Sequence, residues 1–310
     1  MELKHYSVLL NESIDMLNIK KDGIYVDCTL GGGGHSSLIL SKLDKGHLYC
    51  FDQDVDAIAI ARPRLEKISN NFTIIKSNFV DLKEELNNRG IEKVDGIIFD
   101  LGVSSFQFDI PERGFSYRFD SPLDMRMDKS SSFSAYDVIN TYSADELAKI
   151  FFEYGEEKFS RGIAKKIVET RKVKPIERTF ELVDVIKSSL PAAVLRKQGH
   201  PAKQVFQALR IEVNHELDYL KVALKNALSI LNVNGALSVI TFHSLEDRIV
   251  KNIFKEHVTL NLPKGLPFVP DGYEINYELI NKNVVLPSDK ELDENNRSHS
   301  AKLRGIRKIK

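Results

Sequence analysis

The chain has no tryptophan, only two cysteines and four methionines, and no net charge, with Lys+Arg and Asp+Glu both totalling 44 among 310 residues. Two cysteines, Cys28 and Cys50, cannot staple a disulfide scaffold. Each sits at the end of an apolar run where a small buried hydrophobe fits, so a reducing, cytoplasmic setting is expected. Nowhere does the chain approach the ~18 continuous apolar residues of a membrane span. The segment Met1 to Met16 carries charges throughout, which predicts no signal peptide. Zero net charge excludes a chain that is basic as a whole, although it allows a local basic face. What is present, 42% hydrophobic and 28% charged residues, is the composition of a folded soluble protein of about two domains.

Four short apolar runs, Ile24 to Asp27, His47 to Asp52, Phe72 to Phe79 and Val94 to Asp100, end in the tips Asp27, Asp52, Phe79 and Asp100. Helical patterns lie between them, at His35 to Leu43, Val55 to Ile68 and Asp81 to Arg89. Strand and helix alternating at this period indicate a parallel, doubly wound α/β sheet. Ligands then bind at the C-terminal edge of its strands. After Asp100 the rhythm breaks. Ser105 to Met127 is rich in Gly, Pro, Ser and aromatics and reads as a structured loop. From Ser134 the pattern is helical: Ser143-Ala-Asp-Glu146 is a capping box opening a helix that ends near Tyr154-Gly155. Further helices are expected at Glu156 to Lys172 and Thr179 to Leu190, with a long one from Pro201 to Leu231. The strand signal returns at Ala236 to Phe242. The expectation is one α/β domain, residues 1–105 and 205–310, interrupted by an all-helical domain at 106–204.

The sequence Tyr25-Val-Asp-Cys-Thr-Leu-Gly-Gly-Gly-Gly-His35 places a glycine loop between the first strand and a helix, where glycine lets the backbone approach a ligand closely. A tight turn alone would look the same, but Asp52 ends the next strand where a carboxylate can accept both hydroxyls of an adenosine ribose. The dinucleotide spacing fails, with serine at its last position, and no lysine follows the glycines as in a phosphate loop. The carboxylate of Asp27 would repel a pyrophosphate and suits a cationic ligand such as S-adenosylmethionine. Tyr154-Gly-Glu-Glu-Lys158 mimics a dehydrogenase Tyr-Lys pair, but it reads as a helix boundary with solvated charges. His243-Ser244 lacks the elbow of a hydrolase and reads as a substrate-facing polar loop. His215-Glu216 begins a zinc-protease pattern with Tyr219 where the second histidine belongs, and no Cys or His cluster appears elsewhere. No catalytic metal is expected.

The stretch Asp100-Leu-Gly-Val-Ser-Ser105, with Gln107, Asp109, Arg113-Gly-Phe-Ser116 and Asp120-Ser-Pro-Leu-Asp-Met-Arg-Met-Asp128, closely resembles the bacterial small-subunit rRNA cytosine-N4 methyltransferase family. The likeness continues through Tyr154-Gly-Glu-Glu, His200-Pro-Ala, Phe206-Gln-Ala-Leu-Arg-Ile211, Phe242-His-Ser-Leu-Glu-Asp-Arg248 and Arg297-Ser-His-Ser-Ala-Lys-Leu-Arg304. The resemblance implies a class I, Rossmann-like methyltransferase that modifies the exocyclic amine of a cytidine in the decoding centre of 16S rRNA, within the small ribosomal subunit. It implies S-adenosylmethionine as cofactor, met by Gly33, Gly34 and His35, with Asp52 at its ribose, Phe79 near its adenine, and Asp100 and Gln107 at the cofactor or the reacting end. Phe106, Phe108 and His299 depart from the family pattern, which usually has Pro, Leu and Arg there.

Cytosine N4 is a poor nucleophile because its lone pair is delocalised into the ring. An enzyme must hold N4, methyl carbon and sulfur in line and supply acceptors for the N–H groups. Asp100 at the sheet edge is the candidate catalytic residue; Phe106, Phe108 and Phe115 are candidates to stack the base. From Lys158 to Arg178 there are eight basic and two acidic residues, and from Arg297 to Lys310 six basic and none acidic. Such runs are usually solvated faces, but two in a neutral chain suit an RNA cradle. Arg161, Lys165 and Lys166, with His243 and Ser244, are therefore candidate substrate contacts. A non-catalytic, cofactor-binding ribosome-assembly factor and an N-methyltransferase acting on DNA or another RNA stay open as alternatives, as does a homodimer.

Overall fold

The computed structural model of the chain describes residues 7–103, 105–196, 199–260 and 274–310, and of Ser105 and Phe106 the backbone alone. The chain divides into two compact units, Met1–Gly102 with Leu217–Lys310, and Val103–Glu216. Among the described residues no helix is long and apolar enough to cross a membrane.

The first unit is built on seven strands: β1 Ile24–Asp27, β2 His47–Asp52, β3 Phe72–Lys76, β4 Val94–Asp100, β5 Leu231–Thr241, β6 Tyr277–Leu279 and β7 Lys302–Lys308. Their order is β3-β2-β1-β4-β5-β7-β6, parallel from β3 to β5, with β7 antiparallel to both its neighbours. Alternation along each strand sends side chains into two cores. Val26, Phe51, Ile97, Phe99, Leu237 and Val239 pack on one face with Leu86, Leu224 and Phe254. Tyr25, Leu48, Cys50, Ile98 and Ala236 pack on the other with Ile14, Ile39 and Leu65. This is the expected α/β class. Because β1 adjoins both β2 and β4, the winding reverses between β1 and β4, and the crevice beyond their carboxyl ends is where such sheets take ligands.

Three details differ from the sequence reading. β3 stops at Lys76, and Phe79 opens a 3₁₀ turn, Phe79–Asp81. β5 begins at Leu231 rather than Ala236, and its pairing with β4 jumps from Val94↔Leu231 to Gly96↔Ala236, so Asn232 to Gly235 form a bulge with Asn234 at φ 68°. A helix at Leu10–Leu17, which the charged N-terminal segment did not suggest, buries Ile14 and Leu17.

The second unit is helical, with the helices Ala135–Thr141, Ala144–Glu153, Ser160–Arg171, Thr179–Ser189 and Lys203–Asn214 around a core including Leu147, Phe151, Ile163, Leu182, Val205 and Leu209. The Ser143 to Glu146 capping box opens its helix as expected, and Tyr154 closes it. The predicted helix from Glu156 begins instead at Ser160. Glu157, expected among solvated charges, is buried and accepts the Phe159 N–H at 2.8 Å.

The long helix predicted from Pro201 to Leu231 is two, Lys203–Asn214 and Glu216–Ser229, separated by His215 at φ 51°. Both halves are amphipathic, but Val205, Phe206 and Leu209 serve the helical core while Leu220, Leu224 and Leu228 serve the sheet. Asn214 fixes the break, donating to the Met125 carbonyl and accepting from the Met127 N–H, each at 2.8 Å. The compact helical unit therefore runs to Glu216 rather than ending at 204.

A Cβ on Gly155 would lie 2.5 Å from the Gln204 carbonyl oxygen and 2.7 Å from that of Phe151. Because both neighbours are backbone, Gly155→Ala is expected to cost about 1–3 kcal/mol and to lower the melting temperature by several degrees. A thermal melt that matches the wild type would contradict this packing.

Candidate functional site

The glycine loop follows β1 and leads into the helix Gly34–Lys42. Gly33 sits at φ 75°, and a Cβ there would press on the Ala61 side chain at 3.1 Å; at Gly34 it would collide with the Ser7 side chain. Gly33 thus requires glycine for its backbone conformation, while a side chain at Gly34 would have to displace the Ser7 hydroxyl. The Arg64 guanidinium holds the loop by donating to the Gly32 carbonyl at 3.2 Å.

Three carboxylates mark the strand tips around this loop. Asp27, 1% exposed, accepts from the Ser36 hydroxyl at 2.6 Å and from the Thr29 N–H at 3.0 Å. Asp52 accepts from the Gly31 N–H and the Asp54 N–H, each at 2.9 Å, so the end of β2 clamps the glycine loop. At the end of β4, the Asp100 N–H donates to the Thr29 hydroxyl at 2.7 Å. The Asp100 carboxyl is 25% exposed with Oδ2 3.5 Å from His35 Nδ1, while its Oδ1 is buried without a hydrogen-bond partner among the described residues.

Desolvation is the main cause that raises all three acids. It pushes Asp52 up to about 7, with Asp54 and Asp27 adding to the rise and the two N–H donors opposing it. Asp27 is raised despite its hydrogen bonds, and Asp100 is raised well above the usual carboxylate range, with Asp27 and Glu246 adding to the effect of burial. No lysine or arginine pairs with these three among the described residues. Burial thus disfavours the ionised form of all three acids in the ligand-free site, and a cationic ligand would favour that form and relieve the cost.

The other predicted positions fall as follows. The His35 imidazole is buried, with Nε2 3.1 Å from the Val8 carbonyl oxygen and Nδ1 toward Asp100, so its ring is engaged with the protein. Phe79 packs edge-on against Phe99, centroids 5.5 Å apart, and the preceding Asn78 donates to Gln53 at 2.9 Å, tying the β3 tip to the residue after Asp52. His243 caps the helix Ser244–Val258, with Nε2 3.0 Å from Oε1 of the buried Glu246, and Glu246 also accepts the Phe242 N–H at 2.8 Å. These residues belong to the sheet unit. Gln107 is buried in the helical unit, within the short helix Ser105–Asp109. Arg161, Lys165 and Lys166 lie exposed on Ser160–Arg171, with Lys165 4.0 Å from Glu169.

Of the stacking candidates, Phe115 is a core residue, 4% exposed, and Phe108 packs edge-on against it; the Phe106 side chain lies outside the described residues. His215-Glu216 has a structural role, since Arg210 forks onto Glu216 at 2.8 and 2.9 Å. Two contributors were missed by sequence reasoning. Ser36 supports Asp27 one helical turn beyond the glycines. Glu246 stands at the third position of its helix, where Ser/His-x-x-Glu spacing after a strand signals a capping carboxylate.

The sequence matches the profile of the MraW methylase family over residues 2–309. The chain belongs to the MraW methylase family. Among its relatives, a protein of Streptococcus mutans named ribosomal RNA small subunit methyltransferase H is 56% identical, with 100% of this chain and 99% of the relative covered. The protein of the same name from Streptococcus equi is 55% identical with the same coverage. Family membership thus gives a methyl-transfer context to the carboxylate-ringed crevice.

The raised Asp52 has a consequence for stability. A carboxyl whose folded-state value exceeds its unfolded one contributes stability at low pH that is lost as pH rises, here between about 4 and about 7. Asp52→Asn removes that dependence. Differential scanning fluorimetry of the ligand-free protein is expected to show the wild type losing ground to Asp52→Asn between about pH 5 and pH 8; a constant gap would contradict the assignment.

Proposed function

We propose that this protein methylates the exocyclic N4 amine of a cytidine in the decoding centre of 16S rRNA, acting in the cytoplasm on the small ribosomal subunit. The methyl donor is S-adenosylmethionine, which supplies an electrophilic sulfonium methyl. The observation that carries the reading is the set of desolvated carboxylates at the β1/β4 switch point, together with the unpartnered buried Oδ1 of Asp100. A cationic donor offsets their mutual repulsion. Once the methyl has left, the sulfur is neutral and that attraction weakens, which favours exchange of spent cofactor.

Within this reading each residue has a task. The glycine backbone at Gly33, Gly34 and His35 allows close approach of the donor, and Asp52 accepts its ribose hydroxyls while still held by Gly31. Phe79 borders the adenine. Asp100 and Gln107 serve the reacting end, where Asp100 accepts an amine N–H so that the N4 lone pair turns toward the methyl group. His243 and Ser244 border the substrate. The helical unit recognises RNA, with the exposed cations Arg161, Lys165 and Lys166 meeting phosphates.

The test is methyl transfer from labelled S-adenosylmethionine to unmethylated small subunits, beside naked rRNA and DNA, with the product nucleoside identified by mass spectrometry. N4-methylcytidine from subunits is expected, and its absence with retained cofactor binding would overturn the reading in favour of a binding factor. Asp100→Ala is expected to lower transfer at least about 100-fold. Because it removes a desolvated acid whose Oδ1 has no partner among the described residues, it should leave the melting temperature of the ligand-free protein undiminished.

A further inference from the structure

The aromatic side chains most open to solvent among the described residues, Phe119 at 45%, Tyr136 at 37%, Phe152 at 64%, Phe159 at 36% and Phe180 at 44%, all lie in the helical unit. Two of them are brought together by a built contact. The Thr179 hydroxyl donates to the Phe119 carbonyl at 2.6 Å and accepts the Ser121 N–H at 2.9 Å, while the Thr179 N–H donates to the Ser121 carbonyl at 2.8 Å. Arg178 adds a fork onto Asp120, through Nε to its carboxylate at 2.8 Å and Nη2 to its carbonyl at 3.0 Å. The loop carrying Phe119 is thereby fixed to the start of the helix carrying Phe180.

The surroundings are cationic and planar. Lys187 stands two helical turns after Phe180, on the same exposed face. Burial lowers the pKa of the His200 ring, and the charges of Lys187 and Arg118 add to the shift. That ring is stacked on Tyr117, centroids 4.2 Å apart and planes within 12°, and Phe206 meets Tyr117 edge-on from the core side. Neither the Arg118 guanidinium nor the Lys187 ammonium has an acidic partner among the described residues, whereas Asp120 is taken by Arg178; Asp184 is the remaining acid on that helix face.

Exposed rings cost free energy in water, and here the backbone segments that carry them are tied together, with cations that have no acidic partner among the described residues on the same segments. Flat apolar faces alternating with positive charge match a single-stranded nucleic acid, whose bases stack while its phosphates pair. An acidic peptide would use the cations but would leave the ring faces without planar partners. We propose that Phe119 and Phe180, flanked by Arg118 and Lys187, form a stacking platform for unpaired nucleotides of the RNA substrate. This rests on the RNA-methylating reading above.

The experiment uses the full chain with a fluorescein-labelled 12-nucleotide oligocytidylate, followed by anisotropy across a salt series, in parallel with methyl transfer to unmethylated subunits. F119A/F180A is expected to weaken oligonucleotide binding at least about tenfold with the salt slope unchanged, and F119W/F180W to restore it. R118A/K187A is expected to flatten the slope by about 1 to 1.5, as for two phosphates on a single strand. Cofactor KM and the melting temperature should not move, since these side chains are exposed. Wild-type binding by F119A/F180A, or a slope change caused by the phenylalanines, would overturn the platform. So would normal oligonucleotide binding with reduced subunit methylation, which would point to a protein contact. A wild-type chain that methylates no RNA would instead sink the reading of function on which the platform depends.

Discussion

Everything at the sheet edge depends on three acids held where water does not fully reach. β1 and β4 lie side by side in parallel register, so their terminal acids Asp27 and Asp100 emerge next to one another, with the Thr29 hydroxyl between them. Asp52 arrives from β2 on the other side of β1. Ionised together, these desolvated acids would repel one another, and no lysine or arginine pairs with them among the described residues. The frame resists because each strand is locked between two apolar cores, and the glycine loop is tied to Asp52, Leu30 and Arg64. Stability is thus contributed by the packing of Phe51, Phe99, Ile98 and Leu48 and is partly consumed at the crevice, as is common where binding needs an environment that folding alone would avoid.

The helical unit follows a different logic. It enters the chain after β4 and leaves before the helix that returns to the sheet, so it adds no strand and disturbs no register. A long excursion between two fixed points costs little extra closure entropy, provided that the excursion has its own core. Leu147, Phe151, Ile163, Leu182 and Leu209 supply one. Polar side chains also brace its interior: buried Arg113 donates to the carbonyls of Arg126 and Met127, and Asn214 closes the same loop from the far end of the unit. The segment Asp120 to Asp128, which has no periodicity to read, is ordered by these side-chain to backbone bonds instead of by regular structure.

This contrast explains what the sequence disclosed. Short apolar runs ending in Asp27, Asp52 and Asp100 showed the sheet and its binding edge, because strands buried on both faces leave a strong signal and their tips are polar for a reason. The break at His215 was invisible, since both flanking helices have the same 3.6-residue period and differ only in which core they face. Phe115 read as a possible base-stacking residue because a lone aromatic in a loop looks identical whether it faces solvent or a core. Phe119 and Phe180 gave no local signal at all: they are 61 positions apart, and their segments are joined through Thr179 and Arg178. Asp100 was legible as an acid at a strand end, but the orphaned Oδ1 and the pressure from Asp27 and Glu246 required three dimensions.

A formal charge of zero conceals the most informative feature of this composition. Unpaired or repelling acids gather at the strand ends of one unit, while unpaired bases gather on the surfaces of the other, from Arg118 and Lys187 to Arg161 and Lys166. Pairing them within the fold would have stabilised both and left neither available. Kept apart, the acids favour a small cation in a crevice and the bases favour an extended anion on a surface, and salt acts unequally on the two. Ions screen the exposed bases readily but reach the desolvated acids poorly. Binding of a polyanion should therefore be steeply salt-dependent while binding of a small cationic ligand at the sheet edge is not, a difference set by burial rather than by the number of charges.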